Sequence, residues 1–324
     1  MNLARGAVDV VLVRPRLAWT LALVRVLYGL LLLAWTVSLL PDASVFLAED
    51  GLVAPEFASP VGWRWFDLSS TTASLVALAA LAAGAVSITI GWRPTGWLLL
   101  AFVLLVAIQR RDPLIINSGD ILIRNLALLL ALCPTGAALS VDRWRNHGRT
   151  SLWTAPMIAP WGLRLVQLQV VVVYFFAFWS KSGGLWRNGT AVSTALRIDD
   201  LQRFPAPDWL VESVVLIAVA TWGALAIELA LATLLWVKHL RPLLIPLGIL
   251  LHASIDSVLL VGFFGPAMIV GLLSFTDADW LDRKVAAFRA RRERTATEPS
   301  AGVAGGQQGG DGGAVAEDGD VAVL

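Results

Sequence analysis

Apolar residues occur along this chain in long runs that clusters of polar residues interrupt. Eight stretches are apolar enough to form helices in a membrane, and they cover residues 17–40, 71–91, 95–110, 119–139, 161–181, 211–237, 242–260 and 264–276. A helix needs about 20 apolar residues to cross a bilayer, and irregular backbone cannot satisfy its hydrogen bonds in lipid. The pattern therefore predicts an all-α protein, a polytopic membrane helix bundle of about eight transmembrane segments.

The part of the chain after the last apolar run has a different composition. Residues 277–294 combine Trp280 and Phe288 with many arginines, which suits either an amphipathic helix on the inner membrane surface or a solvated helix that only fixes topology. From about Glu298 onward few large apolar groups remain, so we expect a disordered tail. The predicted divisions are the N-terminus 1–16, the transmembrane domain 17–282, the basic segment 283–297 and the tail 298–324.

Composition and charge support membrane insertion and set a topology. The chain is 57% apolar and 15% charged, whereas soluble domains are about 45–50% apolar and about 25% charged. With eight passes and a cytoplasmic N-terminus, sixteen of the 25 basic residues fall on the inside and seven on the outside. We therefore predict a plasma-membrane protein with both termini cytoplasmic and Lys181 on the outer face. The net charge of +1 gives no reason to expect a nucleic-acid partner.

Two further classes of feature are not expected. Cys133 is the only cysteine, so the chain can form neither an intrachain disulfide nor a thiolate metal site, and three histidines make a His-rich metal site improbable. The first apolar run is longer than the core of a signal peptide, which has about 7–15 residues, so we interpret it as a retained span.

Several ionisable residues lie inside the predicted spans, where each charge costs roughly 2.5–3.5 kcal/mol on insertion scales. They are Arg25, the i, i+4 pair Asp120 and Arg124, Glu228, and the i, i+4 pair His252 and Asp256. Structural explanations stay open for each of them. Glu228 could form a buried salt bridge with Arg25 or Arg124, and the two i, i+4 pairs could be bonded within their own helices.

The fifth apolar run carries a polar stripe at helical spacing. The stripe consists of Arg164, Gln167, Tyr174 and Lys181, so it should face protein or water rather than lipid. Lys181 has two explanations. It could snorkel to the headgroups, or it could act as a base toward a lipid-soluble substrate that stays in the bilayer.

Four blocks in a fixed order carry a resemblance to a known family. They are RRDPLIINSGDILIRNLALLLALCPTGAALSVDRWR, then RLVQLQVVVVYFFAFWSKSGGLWRNGTA, then Glu228 within a span, then GILLHASIDSVLLVGFFGPAMIV. Together they resemble the HTTM family, a bacterial membrane domain similar to the membrane part of vitamin K-dependent gamma-carboxylase. The resemblance covers about residues 17–282.

The resemblance implies a chemistry for this region. In the carboxylase, a lysine in the block that matches Tyr174 to Trp186 is regarded as the base that works with vitamin K hydroquinone and oxygen. The resemblance thus implies Lys181 as the catalytic base of a quinol-using enzyme. The predicted lining of its cavity is Asn117, Asp120, Tyr174, Trp186, Glu228 and His252, and no metal is expected.

The chain also departs from the carboxylase pattern. Ser180 stands where the carboxylase block has the first of two lysines, and the stretch Asn117 to Asp120 lacks the histidine of the matching block. No large lumenal region follows the last span, so carboxylation of a protein substrate is not expected. A protein without that region could still oxidise a quinol and couple the oxidation to formation of a base.

A second class of function remains open. The chain could be a non-enzymatic membrane scaffold, an immunity factor or a transport-related protein. A transporter would usually show two similar halves, and the sequence shows no internal repeat. The expected partners are membrane lipids and a lipophilic ligand, and the sequence does not identify a protein partner.

Overall fold

The computed structural model describes residues 13–48, 51–52, 68, 70–112 and 116–297. Within these ranges, nine helices contain nine or more residues and are numbered here in chain order. They are α1 (Trp19–Leu39), α2 (Thr71–Ile90), α3 (Pro94–Arg111), α4 (Ser118–Ala131), α5 (Trp161–Ser180), α6 (Val214–Leu234), α7 (Arg241–Val258), α8 (Phe264–Leu272) and α9 (Ala278–Thr297).

Shorter elements connect these helices. The short α-helices are Ala43–Phe46, Val141–His147, Gly184–Arg187, Ala191–Ala195 and Asp208–Val211, and the 3-10 helices are Arg149–Trp153, Asp199–Leu201, Lys238–Leu240 and Leu273–Phe275. The strand β1 (Arg16–Leu17) pairs antiparallel with the strand β2 (Met157–Ile158). The predicted N-terminal segment up to residue 12 and the predicted tail 298–324 lie outside the described residues.

The eight predicted apolar stretches correspond in order to α1 through α8, so the predicted fold class is confirmed. In the described part of the chain, six helices are long and apolar enough to cross a membrane, namely α1, α2, α3, α5, α6 and the stretch Lys238–Val258 that contains α7. The helices α4 and α8 are shorter. The helix α4 ends at Ala131 although the apolar run continues, because Pro134 disfavours helical backbone in the residue before it and cannot donate a backbone hydrogen bond.

Contacts at one end of the bundle show that the eight helices alternate in direction. The pairing of β1 with β2 brings the start of α1 beside the start of α5. The Thr20 hydroxyl donates to the Thr276 carbonyl, which lies just after α8 (3.0 Å). The Arg241 side chain, at the start of α7, donates to the Leu235 carbonyl at the end of α6 (2.9 Å). The starts of α1, α5 and α7 therefore share one side with the ends of α6 and α8.

Arg25 of α1 makes further contacts at this end of the bundle. Its guanidinium donates to four backbone carbonyls, those of Thr89, Thr135, Ala138 and Leu139, at distances from 2.5 to 3.4 Å. Thr89 lies at the end of α2 and the other three follow α4, so Arg25 fastens both segments to α1. Glu228 is not among its partners, which rules out one of the two salt bridges left open by the sequence.

Residues 278–294 of the predicted helical segment lie in α9, which confirms that this part is helical. Asp282 accepts a hydrogen bond from the Trp19 indole (2.7 Å), and Leu281 and Val285 pack against the small cluster at the start of α1. The compact unit extends to Val285, and the rest of α9 belongs to a second unit. Attachment of α9 to a membrane surface stays a prediction.

Candidate functional site

Lys181 is the first residue after α5, and its side chain forms an ion pair with Glu228 of α6. The ammonium Nζ contacts the carboxylate Oε1 directly and lies 5.3 Å from the centre of the Trp186 ring. The exposed fraction is 24% for the Lys181 side chain and 10% for the Glu228 side chain. Both charges are thus largely removed from solvent, where an ion pair is stable only if the two partners stay together.

The ion pair draws the lysine side chain into the bundle. At the other end of α5, Arg164 lies over the Trp236 ring at 6.0 Å. Along α5, Lys181 lies about 25 Å from Arg164. Along the antiparallel chain, Glu228 lies only about 12 Å from Trp236. The two side chains must therefore reach toward each other, so the ammonium points inward and not toward headgroups at the helix end. Lys181 therefore has a protein partner in place of the headgroups that snorkelling would use, and its role as a base stays a prediction.

A second polar pair joins α5 to α7. The Tyr174 hydroxyl lies 2.9 Å from His252 Nε2, and both residues are buried. The imidazole also meets the Phe264 ring edge to face at 5.8 Å. The bond from His252 to Asp256 within α7, which the sequence left open, is not formed: His252 pairs with Tyr174, and Asp256 Oδ1 has no hydrogen-bond partner among the described residues.

The two pairs belong to one group, which we call the Lys181 cluster: Lys181, Glu228, Tyr174 and His252. Lys181 lies close enough to His252, and Glu228 close enough to Tyr174, for the charge of the first residue to act on the second. Glu228 Oε2 is buried and has no hydrogen-bond partner among the described residues. The cluster therefore combines a paired ammonium with a carboxylate oxygen that is free to accept a hydrogen bond.

The polar stripe of α5 faces protein, which agrees with the prediction that it would face protein or water: Gln167 and Tyr174 are buried, and Arg164 and Lys181 are half-buried. Gln167 donates to the Ser274 carbonyl (2.6 Å) and accepts from Arg164 (2.6 Å). Phe176 and Trp179, on other faces of α5, are exposed. The stripe thus faces α6, α7 and the end of α8, and the apolar faces of the helix are left for lipid.

Asn117 and Asp120 serve first as the cap of α4. The Asn117 side chain accepts from the backbone of Gly119 and Asp120, and the Asp120 side chain accepts from the backbone N–H of Asn117. The other Asp120 oxygen accepts from the Trp35 indole (2.6 Å), and Arg124 donates to Gln109 (2.8 Å). Asp120 and Arg124 are therefore not paired with each other.

The cap lies near the segment that joins α7 to α8. Gly262 has a left-handed backbone (φ 64°), and a Cβ placed there would come within 2.6 Å of the Asn117 amide nitrogen. In the described residues no hydrogen bond or ion pair connects Asn117 or Asp120 to the Lys181 cluster. Their place in a common cavity with Lys181 stays a prediction.

Trp186 lies in the connection between α5 and α6, residues 182–213, which packs on the first half of α6. Its carbonyl accepts from the Trp222 indole (3.1 Å), and Thr221 accepts from the Val192 backbone (3.2 Å). These contacts hold the Trp186 ring beside the Lys181 ammonium. Trp222 and Thr221 were missed by the sequence analysis, because nothing in an apolar run marks a contact with residues 29 or 36 positions away.

Among the described residues, no group of three or more His, Cys, Asp or Glu side chains could hold a metal ion.

Comparison with known proteins places the chain in a family. The family model of the HTTM domain matches residues 13–280, which is most of the chain. No curated protein and no solved structure matches the chain at a significant level.

Proposed function

Because the chain belongs to the HTTM domain family, we propose that it binds a lipophilic ligand with a phenolic hydroxyl, of the quinol class, at the Lys181 cluster. The observation that supports this proposal most directly is the buried Glu228 Oε2, which has no partner among the described residues. A buried carboxylate oxygen without a partner is costly, and a ligand hydroxyl would remove that cost. The resemblance to the membrane part of vitamin K-dependent gamma-carboxylase suggests vitamin K hydroquinone as one such ligand.

Lys181 is the proposed base, and its contact with Glu228 gives it a way to lose a proton. Transfer of the ammonium proton to the carboxylate replaces two largely buried charges by a neutral amine and a neutral acid. The amine nitrogen can then take the proton of a ligand hydroxyl, so that an O–H bond breaks, an N–H bond forms and the ligand oxygen becomes an anion. The new ammonium and the Trp186 ring would flank that anion. Its oxidation would further require an electron acceptor, for which the resemblance suggests dioxygen.

Tyr174 and His252 would act as positioning residues in this scheme. Their hydrogen bond fixes both rings between α5 and α7, and a fixed polar group limits the orientations of a bound ring. Asn117 and Asp120 remain proposed as lining residues on the side of the α7–α8 segment.

Mass spectrometry of the lipids retained by the purified protein tests the binding proposal. We expect a quinone-like molecule in the wild-type protein, and a loss of at least about tenfold in Glu228→Gln, because one charged hydrogen bond is worth about 1.4 kcal/mol or more. Glu293→Gln is the matched control, since it makes the same substitution at an exposed glutamate. Absence of any such ligand across several detergents, or equal retention in Glu228→Gln, would contradict the proposal.

We further propose that the protein lies in the cell membrane with both termini cytoplasmic and the Lys181 end of α5 outside. The excess of basic residues at the opposite end of the bundle supports this orientation. Single cysteines at Arg187→Cys and Ala290→Cys, in a Cys133→Ser background, test it. We expect a membrane-impermeant maleimide to label the first from outside intact cells and the second only after lysis. Labelling of both from the same side would rule out the eight-segment topology.

A further inference from the structure

At the end of the bundle opposite Lys181, a cavity of about 270 Å³ lies between the N-terminal strand and three helix ends. Its lining includes the guanidinium groups of Arg16, Arg164 and Arg241. These three residues come from β1, from the start of α5 and from the start of α7. Arg164 also belongs to the polar stripe of α5, and the proposed function involves none of the three.

Two of the three guanidinium groups are held in place by protein contacts. Arg241 donates to the carbonyls of Leu235 (2.9 Å) and Phe275 (3.3 Å) and lies over the Phe275 ring. Arg164 donates to Gln167 and lies over the Trp236 ring. Their positions are therefore fixed before any ligand arrives, and a preformed site loses little entropy when it binds.

Three buried polar atoms in the lining have no partner among the described residues. They are Arg16 Nε, Ser274 Oγ and Thr276 Oγ1. A guanidinium nitrogen and two hydroxyl groups can all donate hydrogen bonds. Buried donors are normally satisfied, so three unused ones around one cavity indicate a ligand that accepts several hydrogen bonds.

The charges of the lining point to an anion. Arg16 and Arg241 both lie close enough to Arg164 for their like charges to interact with it. Asp277 offsets part of the charge of Arg241. The lining also includes Arg14 and Asp279, so four arginines stand against two aspartates. However, Asp277 Oδ1 accepts from the Trp280 backbone (2.9 Å) and its Oδ2 faces Lys238 (3.9 Å), so this carboxylate is shared among several groups. An anion in the cavity would relieve the remaining repulsion.

We propose that this cavity binds a phosphate group, with Arg16, Arg164, Ser274 and Thr276 as its ligands. Guanidinium groups bind phosphate oxygens through paired hydrogen bonds, and basic pockets between membrane helices are known sites for lipid headgroups. The phosphate belongs either to a phospholipid headgroup or to a free phosphate ion. Both ligands would present the same phosphate oxygens to the site, and the experiment below distinguishes between them.

Ligand-dependent thermal stability of the detergent-solubilised full-length protein tests this site. The probes are dioctanoyl phosphatidylglycerol, dioctanoylglycerol, which lacks the phosphate, and sodium phosphate. We expect the phospholipid to raise the apparent Tm and dioctanoylglycerol to leave it unchanged. Stabilisation by sodium phosphate alone would identify a free phosphate ion as the ligand. If no phosphate-bearing probe stabilises the wild-type protein, the proposal is overturned.

Variants connect that stabilisation to the cavity. Arg16→Gln and Arg164→Gln should each weaken the binding of the stabilising probe by about tenfold. Ser274→Ala removes one hydroxyl and no charge, so it tests the site even if an arginine variant does not fold. Arg197→Gln is the control, because it removes an exposed arginine at the other end of the bundle. Unchanged binding in Arg16→Gln and Ser274→Ala, or an equal loss in Arg197→Gln, would overturn the assignment.

Discussion

Replacing Lys181 by Met while Glu228 stays in place is expected to lower the free energy of unfolding by about 3–5 kcal/mol, because it leaves a buried carboxylate without its cation. For a chain of this size, such a loss should lower the apparent Tm on the order of 10 °C. Glu228→Gln should cost less, since the Lys181 side chain is 24% exposed and water can partly replace the lost partner. Both effects are measurable by thermal unfolding in a single detergent.

The double variant Lys181→Met with Glu228→Gln separates the pair from its surroundings. Removing both partners of a buried ion pair is often nearly neutral, so we expect the double variant to recover most of the stability lost by Lys181→Met. The difference is the coupling energy of the pair. Single effects that simply add would show that Lys181 and Glu228 do not stabilise each other, which would contradict the arrangement described above.

Variants at Lys181 also distinguish an enzyme from a scaffold. Lys181→Arg keeps a cation beside Glu228, but a guanidinium cannot be deprotonated in a protein and so cannot act as a base. We therefore expect Lys181→Arg to fold and to retain the ligand while cellular function is lost. If Lys181→Ala and Lys181→Arg both keep full cellular function at unchanged expression, the catalytic hypothesis is wrong. The non-enzymatic class, a scaffold, an immunity factor or a transport-related protein, would then be favoured.

Helix positions were predictable from the sequence because the length of an apolar run and its mean hydropathy depend only on the residues in that run. Each of the eight apolar stretches overlaps one of the helices α1 to α8. The largest boundary error concerns α4, which was predicted to reach residue 139 and ends at Ala131. The stretch from Leu132 to Ala138 is apolar, and hydropathy alone therefore extends the helix through it. Pro134 interrupts the helical hydrogen bonds there, which hydropathy does not take into account.

Partners of the buried polar groups were less predictable. Spacing along one helix suggested Asp120 with Arg124 and His252 with Asp256, yet the actual partners come from other helices. Periodicity states which face of a helix is polar, and the burial of Gln167 and Tyr174 on α5 confirms it. It does not state which neighbouring helix that face meets, because this depends on the packing of the whole bundle. The ion pair of Lys181 with Glu228 is the clearest example, since the sequence suggested only Arg25 or Arg124 as the partner of Glu228.

Arg25→Met is expected to destabilise the protein by at least about 3 kcal/mol, because it leaves several buried carbonyl groups without a donor. The four carbonyls that Arg25 satisfies come from the end of α2 and from the segment after α4. Methionine fills much of the same volume, so the loss of hydrogen bonds, rather than a cavity, should dominate the effect. Arg25→Lys should recover only part of the stability, since a single ammonium cannot reach all the carbonyls that a planar guanidinium spans.

The matched control for Arg25→Met is Arg289→Met, which removes an exposed arginine whose described ion pair is with Glu293 on the same helix. An exposed i, i+4 pair contributes about 0.3–0.5 kcal/mol, so the control should unfold close to the wild-type temperature. Thermal unfolding of the two variants in the same detergent gives the comparison. Equal midpoints for Arg25→Met and Arg289→Met would mean that water satisfies the carbonyls around Arg25. In that case Arg25 would not be what fastens α2 and the segment after α4 to α1, and its place in the membrane would need a functional explanation.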